Sequence, residues 1–255
     1  MKTPSFRLDG KRALVTGGSK GIGLAAAHAL VQAGAQVVIA ARSTPELIAA
    51  CADIMPATGQ NESKISYKVL DVLDSKAVDQ LFASEEVFDI VINNAGTTRT
   101  KLIDEATDED FDTVMDLNVK AAFYVLRAAA RSLKAAGKPG SLINMSSQMG
   151  HVGGPKRVMY CASKHALEGM TKALAWELGA QNIRVNSICP TFIETELTAT
   201  MLKDDAFKNY VLGNIALGRL GKLEEIMGAI VFLASDASSL MTGSALMLDG
   251  GWTAR

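Results

Sequence analysis

Only three of the 255 residues are cysteine, Cys51, Cys161 and Cys189, an odd number and widely spaced. No C-x-x-C pair and no Cys/His ligand spacing occurs, so neither a disulfide framework nor a metal site is expected. His28, His151 and His165 likewise have no metal-site partners nearby in sequence. Charge of one sign is missing too. With 26 Lys+Arg against 27 Asp+Glu the net charge is -1, and without a basic excess no nucleic-acid partner is expected. Long apolar runs are absent. The most apolar stretch, Leu24 to Ala41, is broken by His28, Gln32, Gly34 and Gln36. It reads as helix, turn and strand, where a membrane span would need ~20 clean apolar residues. Residues 1–11 carry Lys2, Arg7 and Asp9 without an apolar h-region, so they do not read as a signal peptide. A cytoplasmic protein is expected. The six prolines form no linker.

What is present is a core. Hydrophobic residues make up 48% of the chain and charged residues 21%, a balance that excludes disorder. Short β-rich runs recur at Arg12–Thr16, Gln36–Ala40, Ile65–Leu70, Ile90–Asn93, Ser141–Met145, Arg184–Ile188 and Ala245–Leu248. Most are continuously apolar, the pattern of strands buried on both faces of a parallel sheet. Helical patterns lie between them. Thr44 before Pro45 reads as an N-cap with a first-turn proline. Thr107 followed by three acids opens another helix, which the pattern carries to about Ala136, before Gly137. A further helix spans about Val158 to Gly179. Strands alternating with helices over the whole length predict one α/β domain, 1–255: a doubly wound, Rossmann-type fold with a seven-stranded parallel sheet and helices on both faces.

In such folds ligands sit beyond the carboxyl ends of the strands. The first strand ends in Thr16-Gly17-Gly18-Ser19-Lys20-Gly21-Ile22-Gly23. Glycines let the backbone turn tightly and approach a pyrophosphate, and the helix N-terminus adds N–H groups and a positive dipole. The spacing is G-x-x-x-G-x-G, neither GxGxxG nor Walker A. The second strand ends Ile39-Ala40-Ala41-Arg42, without the acid that usually binds the ribose hydroxyls of NAD. Arg42 and Lys20 would both attract a 2′-phosphate. The expectation is NADP(H), with NAD(H) as the alternative and solvent-exposed cations as the bland reading.

Tyr160 and Lys164 share one face of a predicted helix. Ser147 lies thirteen residues upstream of Tyr160, just past a strand end. Asn93-Asn94-Ala95-Gly96 follows another strand, and Asn118 sits where a mid-helix amide competes with the backbone. With these residues in this order, the chain resembles the short-chain dehydrogenase/reductases. The resemblance runs from the glycine loop through Asp71, Asn93–Gly96, Asn118, Ser147 and Tyr160-x-x-x-Lys164 to Pro190–Thr195, Thr242-Gly243 and Asp249-Gly250-Gly251. It is strongest to the small 3-oxoacyl-carrier-protein reductases and sugar or polyol dehydrogenases.

The resemblance implies a carbonyl/alcohol oxidoreductase. Tyr160 would act as acid and base, with Lys164 lowering its pKa from the ordinary ~10. Ser147 would polarise the substrate oxygen, and Asn118 would hold a water of a proton relay. Gly17, Ser19, Lys20, Gly21, Ile22, Gly23 and Arg42 would hold the phosphates of the cofactor. Asp71 and Val72 would meet the adenine, while Asn94, Ala95 and Gly96 would run beside the adenosine ribose. Tyr160, Lys164, Pro190, Ile193 and Thr195 would hold the nicotinamide end. Thr191 departs from the family's usual Pro-Gly and would project near the nicotinamide or the substrate mouth.

The resemblance also implies a substrate lid over residues 196–215 and a homotetramer. For the tetramer, the candidate surfaces are the Leu167–Leu178 face of one helix and the last strand with Trp252. Gln148 and His151 are candidates for substrate hydroxyls, although a loop histidine is more often plain surface. Met149, Met159 and Met201 could form an adaptable wall for an acyl chain. Arg99 and Lys101 could meet an anionic substrate, or be solvated charges. Two other functions carry less weight. A redox sensor without chemistry would not need Ser147, Tyr160 and Lys164 together, and a serine hydrolase would need a GxSxG elbow, which Ser147 lacks.

Overall fold

The computed structural model describes residues 1–58 and 64–254. Among them seven strands form one parallel sheet: β1 (Arg12–Thr16), β2 (Gln36–Ala41), β3 (Ile65–Val69), β4 (Ile90–Asn93), β5 (Gly140–Met145), β6 (Ile183–Pro190) and β7 (Ala245–Leu248). The order is β3-β2-β1-β4-β5-β6-β7. Val15 of β1 stands opposite Ile39 on one side and Ile92 on the other. Side chains alternate across the sheet, so Ala13 and Val15 enter one apolar layer and Leu14 the other. β3 forms one edge, and past Ile65 its residues are exposed.

Helices cover both faces, because parallel neighbours must be joined by crossovers. On one face α1 (Gly21–Gln32) and α9 (Leu223–Ala234) pack together, with α2 (Thr44–Ile54) beside them. On the other lie α3 (Ser75–Ser84), α5 (Ala121–Ala136) and the end of α6 (Val158–Leu178). A third, smaller cluster joins Met149, Phe192, Val211, Ile215 and Trp252. It seats α7 (Glu196–Met201) and α8 (Asp205–Asn214) beyond the end of β6. The Phe192 ring meets Phe207 at 5.7 Å and Trp252 at 5.9 Å between centroids.

Several local expectations shift. The cap of α2 is Ser43, whose hydroxyl accepts from Glu46 N–H at 3.4 Å. Thr44 is already helical, and Pro45 remains in the first turn, where its missing N–H costs nothing. Thr107 caps α4 (Asp108–Met115) in a reciprocal box with Asp110. The helix expected to continue to Ala136 is interrupted by a π-helical turn at Asp116–Lys120, then resumes as α5 and stops at Gly137, φ +61°.

The surfaces expected to meet other subunits are partly claimed by the chain itself, while Met170, Leu174 and Ala245–Leu248 stay half-buried. Leu167 and Leu178 are buried in the chain's own core and Trp252 in the small cluster. Among the large apolar side chains left bare are Trp176, 91% exposed, and Leu240, fully exposed. No helix among the described residues is long and apolar enough to cross a membrane.

Candidate active site

The chain reverses its direction of travel through the sheet between β1 and β4, so the loops after these two strands part and leave a crevice. Thr16 and Asn94 stitch its floor. Thr16 Oγ1 accepts from the N–H groups of Asn94 (3.0 Å) and Ala95 (3.2 Å). Asn94 Nδ2 donates to the carbonyls of Thr16 (3.0 Å) and Gly17 (3.2 Å). Above the floor lies a cleft of about 1260 Å³.

The glycine loop forms one wall. Gly17 (φ +63°) and Gly21 (φ +56°) adopt the left-handed region, which glycine enters without steric cost. A Cβ on Gly23 would strike the Gly17 carbonyl, so only glycine lets α1 begin this close to the loop. The first turn of α1 has neither a side-chain cap nor an acid, which leaves its positive end for a ligand.

Ser19, Lys20, Ile22 and Arg42 line the cleft, and so do Asp71, Val72, Asn94, Ala95, Gly96, Ile193 and Thr195. Asp71 is also tied into its own turn, Oδ1 accepting from Leu73 N–H at 3.0 Å. Pro190 is the last residue of β6 and is not in the lining. Thr191 and Phe192 take that place. The Thr191 hydroxyl is buried in the lining without a hydrogen-bond partner among the described residues.

Ser147, Tyr160 and Lys164 meet on the other wall. Ser147 leaves the end of β5. Its Oγ donates to Gln148 Oε1 at 2.7 Å and accepts from Met149 N–H at 3.1 Å. Burial pushes the Tyr160 phenol up, opposed first by its hydrogen bond with Ser147 and then by the charge of Arg157. Lys164 Nζ donates to the Met145 carbonyl at 2.8 Å and stands 5.6 Å from the Tyr160 ring centre. Burial lowers its pKa to about 8, against the pull of Cys189 and Glu168. In the protein alone, Ser147 and Arg157 favour the phenolate.

Asn118 is buried in the π-helical turn and does not line the cleft. Its Oδ1 accepts from Thr97 N–H at 2.7 Å, and Nδ2 donates to the Thr97 carbonyl (2.9 Å) and to Ser163 Oγ (3.0 Å). Ser163 in turn donates to the Tyr160 carbonyl at 2.8 Å. Both amide hydrogens of Asn118 are thus committed to fixing the loop after β4 against α6.

Gln148 lines the cleft but spends its carbonyl on Ser147. His151 is not in the lining. The turn Gln148–Gly150 carries it past the cleft, toward Cys189 and Glu168. Met149 and Met201 line the cleft, whereas Met159 is buried elsewhere. Arg99 and Lys101 both pair with Asp110, at 3.8 and 2.6 Å.

Two lining residues carry no signal in the sequence. Arg157 is 4% exposed, donates to Thr98 Oγ1 at 2.8 Å and to Met201 sulfur at 3.3 Å, and makes no ion pair among the described residues. Glu46, from the first turn of α2, reaches back to Ser19 Oγ (3.1 Å) and Lys20 Nζ (3.4 Å).

A glycine-rich crevice at the switch point of a doubly wound sheet, with Ser147, Tyr160 and Lys164 on one wall, defines a dinucleotide-dependent oxidoreductase architecture. The family model described as enoyl-(acyl carrier protein) reductase matches residues 17–253. The chain belongs to the short-chain dehydrogenase/reductase family and is an oxidoreductase of that type. It is 38% identical to the gluconate 5-dehydrogenase of Gluconobacter oxydans over 252 residues, 97% of this chain and 96% of that protein. It is 39% identical to the 3-oxoacyl-[acyl-carrier-protein] reductase of Chlamydia muridarum over 248 residues, 96% and 98% of the two. The crystal structure of a gluconate 5-dehydrogenase from Burkholderia cenocepacia, in complex with NADP and tartrate, superposes with a TM-score of 0.89. That match has 34% identity and covers 98% of each chain.

Proposed function

We propose that the chain is an NADP(H)-dependent enzyme interconverting a carbonyl and a secondary alcohol, with Tyr160 as acid and base. The observation that carries this reading is the convergence of Ser147, Tyr160 and Lys164 on the cleft bounded by the glycine loop. When bound, the nicotinamide supplies or takes up the hydride. The buried phenol of Tyr160 holds its proton near neutral pH and gives it to the carbonyl oxygen, or takes one from the alcohol in reverse. Ser147 donates to the same oxygen and orients it. Lys164 holds the nicotinamide ribose, and Asn118 is a positioning residue that keeps the loop after β4 in register with α6.

Two features fit a dinucleotide: the backbone of Gly21 is open to close approach, and the Thr191 hydroxyl is left to find a partner in a ligand. Ser19, Lys20 and Arg42 would bind the 2′-phosphate, and Asp71 and Val72 the adenine. Asn94, Ala95 and Gly96 would flank the adenosine ribose, with Ile193 and Thr195 at the carboxamide. Pro190 would act only by placing Thr191. Three solved relatives are described with NADP bound.

A second reading, an NAD-linked sugar or polyol dehydrogenase, is favoured by Glu46. Its carboxylate stands among the cations meant for the 2′-phosphate.

For the substrate, Arg157 favours a negatively charged carbonyl compound, as the relatives named for gluconate suggest. Met149 and Met201 suit an apolar portion. Residues 196–215 act as the lid within a single domain. The bare Trp176 and Leu240 support a homotetramer, and three free thiols suit the cytoplasm.

The test is a spectrophotometric panel of ketones, 3-oxoacyl thioesters, sugars, polyols and sugar acids with each cofactor. Turnover should be faster with NADP(H), and Tyr160→Phe should lose most of it while still binding cofactor. A variant that turned over normally would remove Tyr160 from its role.

A further inference from the structure

Behind the wall that carries Ser147, three side chains from three separate elements meet. His151 follows the turn after Ser147, Glu168 lies one helical turn beyond Lys164 on α6, and Cys189 is in β6. His151 Nε2 is 3.5 Å from Cys189 Sγ and 3.6 Å from Glu168 Oε2. Cys189 Sγ is 3.5 Å from Glu168 Oε1. A tetrahedral Zn²⁺ site with ligand bonds of about 2.0–2.3 Å has its ligand atoms about 3.3–3.6 Å apart. One oxygen of Glu168 stands at that spacing from His151 and the other at that spacing from Cys189, and one ligand atom from each of the three residues lies within 4.8 Å of the others.

The surroundings fit a closed site with one route in. Cys189 and Glu168 are buried, while the His151 side chain is 29% exposed and gives access. Ser187 Oγ donates to Glu168 Oε2 at 2.9 Å, the kind of outer-shell bond that orients a metal-binding carboxylate. Ser146 supplies an independent observation. Its hydroxyl is buried beside Cys189, placed to hydrogen-bond the thiolate, and has no other hydrogen-bond partner among the described residues. A Cβ at Gly150 would lie 3.1 Å from that hydroxyl and 3.2 Å from Glu168 Cγ, so Ser146 Oγ faces the same pocket.

We propose that His151, Glu168 and Cys189 bind a thiophilic divalent cation of the Zn²⁺ class, with Ser146 Oγ or a water as the fourth ligand. Imidazole, thiolate and carboxylate together suit Zn²⁺ better than Mg²⁺ or Ca²⁺, which prefer oxygen alone. On binding, the Cys189 S–H bond is exchanged for a sulfur–metal bond and one proton leaves to solvent. No electrons are transferred. The bound ion would pin the turn after Ser147 to α6 and β6, because Gly150 N–H also holds the Ser147 carbonyl at 2.8 Å.

The test uses the full chain stripped of metal and titrated with Co²⁺, then with Zn²⁺. One Co²⁺ per chain should bind with a sulfur-to-metal charge-transfer band, which Zn²⁺ abolishes by displacement. Zn²⁺ should also raise the melting temperature. Cys189→Ser should lose the band. His151→Ala, altered at a partly exposed turn where folding is spared, should weaken Zn²⁺ binding at least tenfold and lose most of the thermal shift. The double variant Cys51→Ser/Cys161→Ser should keep both signals. Absence of the band in the parent protein, its loss in the double variant, or unchanged Zn²⁺ affinity in His151→Ala would each overturn the proposal.

Discussion

Glu46 Oε1 stands 3.4 Å from Lys20 Nζ, while its other oxygen accepts from Ser19 at 3.1 Å. An acid therefore occupies the place where the end of β2 appeared to offer cations alone. Both partners are substantially exposed, so the pair contributes little to stability. Its effect falls on the ligand, since a 2′-phosphate must displace Glu46 from Lys20 or bind beside it. Arg42 has no ion-pair partner among the described residues and stays available. Glu46→Gln should raise the NADPH/NADH ratio of kcat/KM by about tenfold, or about 1.4 kcal/mol. Arg42→Ala should lower it by at least as much. Paired steady-state assays with the two cofactors check both.

Lys164 is an ammonium placed where burial disfavours its charge. Its pKa falls from 10.5 to about 8, so above pH 8 the folded protein releases the proton while the unfolded chain keeps it until about 10.5. The unfolded state then binds more protons, and stability attributable to Lys164 rises across that window. Lys164→Met should flatten the rise and add about 1–2 kcal/mol at pH 7, part of the charge-burial penalty being offset by the lost bond to the Met145 carbonyl. Urea melts at pH 7 and pH 10 read this directly. The same variant should lose most turnover, and the parent's kcat/KM should decline above about pH 8, where the ammonium disappears.

The sequence was most legible where spacing is local. The continuous apolar runs, the glycine loop and the Tyr160/Lys164 pair each depend on neighbours a few residues apart, and each lies where its pattern implied. The π-helical turn around Asn118 left no trace beyond one awkward amide, because what holds it is Thr97 and Ser163, 21 and 45 residues away. Glu46 and Arg157 were illegible for a related reason. Each sits at the start of a helix, where a charge usually reads as dipole complement or surface, and only the fold turns them into the cleft. His151 shows the converse: three residues of turn suffice to carry a side chain from the cleft to the cluster behind it.

Arg157 is buried, charged and bonded only to uncharged partners, Thr98 and the Met201 sulfur. Burial lowers its pKa, with the nearby Tyr160 phenol working in the opposite sense. A cation so placed gains most from an anionic ligand, since a charge-assisted pair in a desolvated site is strong. Arg157→Gln should raise KM for carboxylate-bearing substrates ten- to a hundredfold and leave neutral ketones within a few fold. An equal loss for both classes would mean that Arg157 acts by holding Met201 and Thr98 in place. Arg157→Lys separates the cases further, because an ammonium restores charge without the planar fork.

Asn118 joins two stretches of the wall: the Thr97 backbone after β4 and Ser163 beneath Tyr160. Removing the amide leaves the half-buried N–H and carbonyl of Thr97 and the buried Ser163 hydroxyl to find new partners, and a fully buried orphan costs about 1–3 kcal/mol. Some water will enter, so Asn118→Ala should destabilise the fold by about 2–3 kcal/mol overall. Asn118→Asp should do at least as much harm, since it keeps the acceptor for Thr97 N–H but loses both donors and buries a charge. Equilibrium urea denaturation of both variants gives the stability term. If Asn118 acts by positioning, kcat should fall in both with the cofactor dissociation constant changed only a few fold, because the glycine loop, Asp71 and Arg42 are untouched. Full stability with turnover abolished would instead assign Asn118 a direct part in moving the proton.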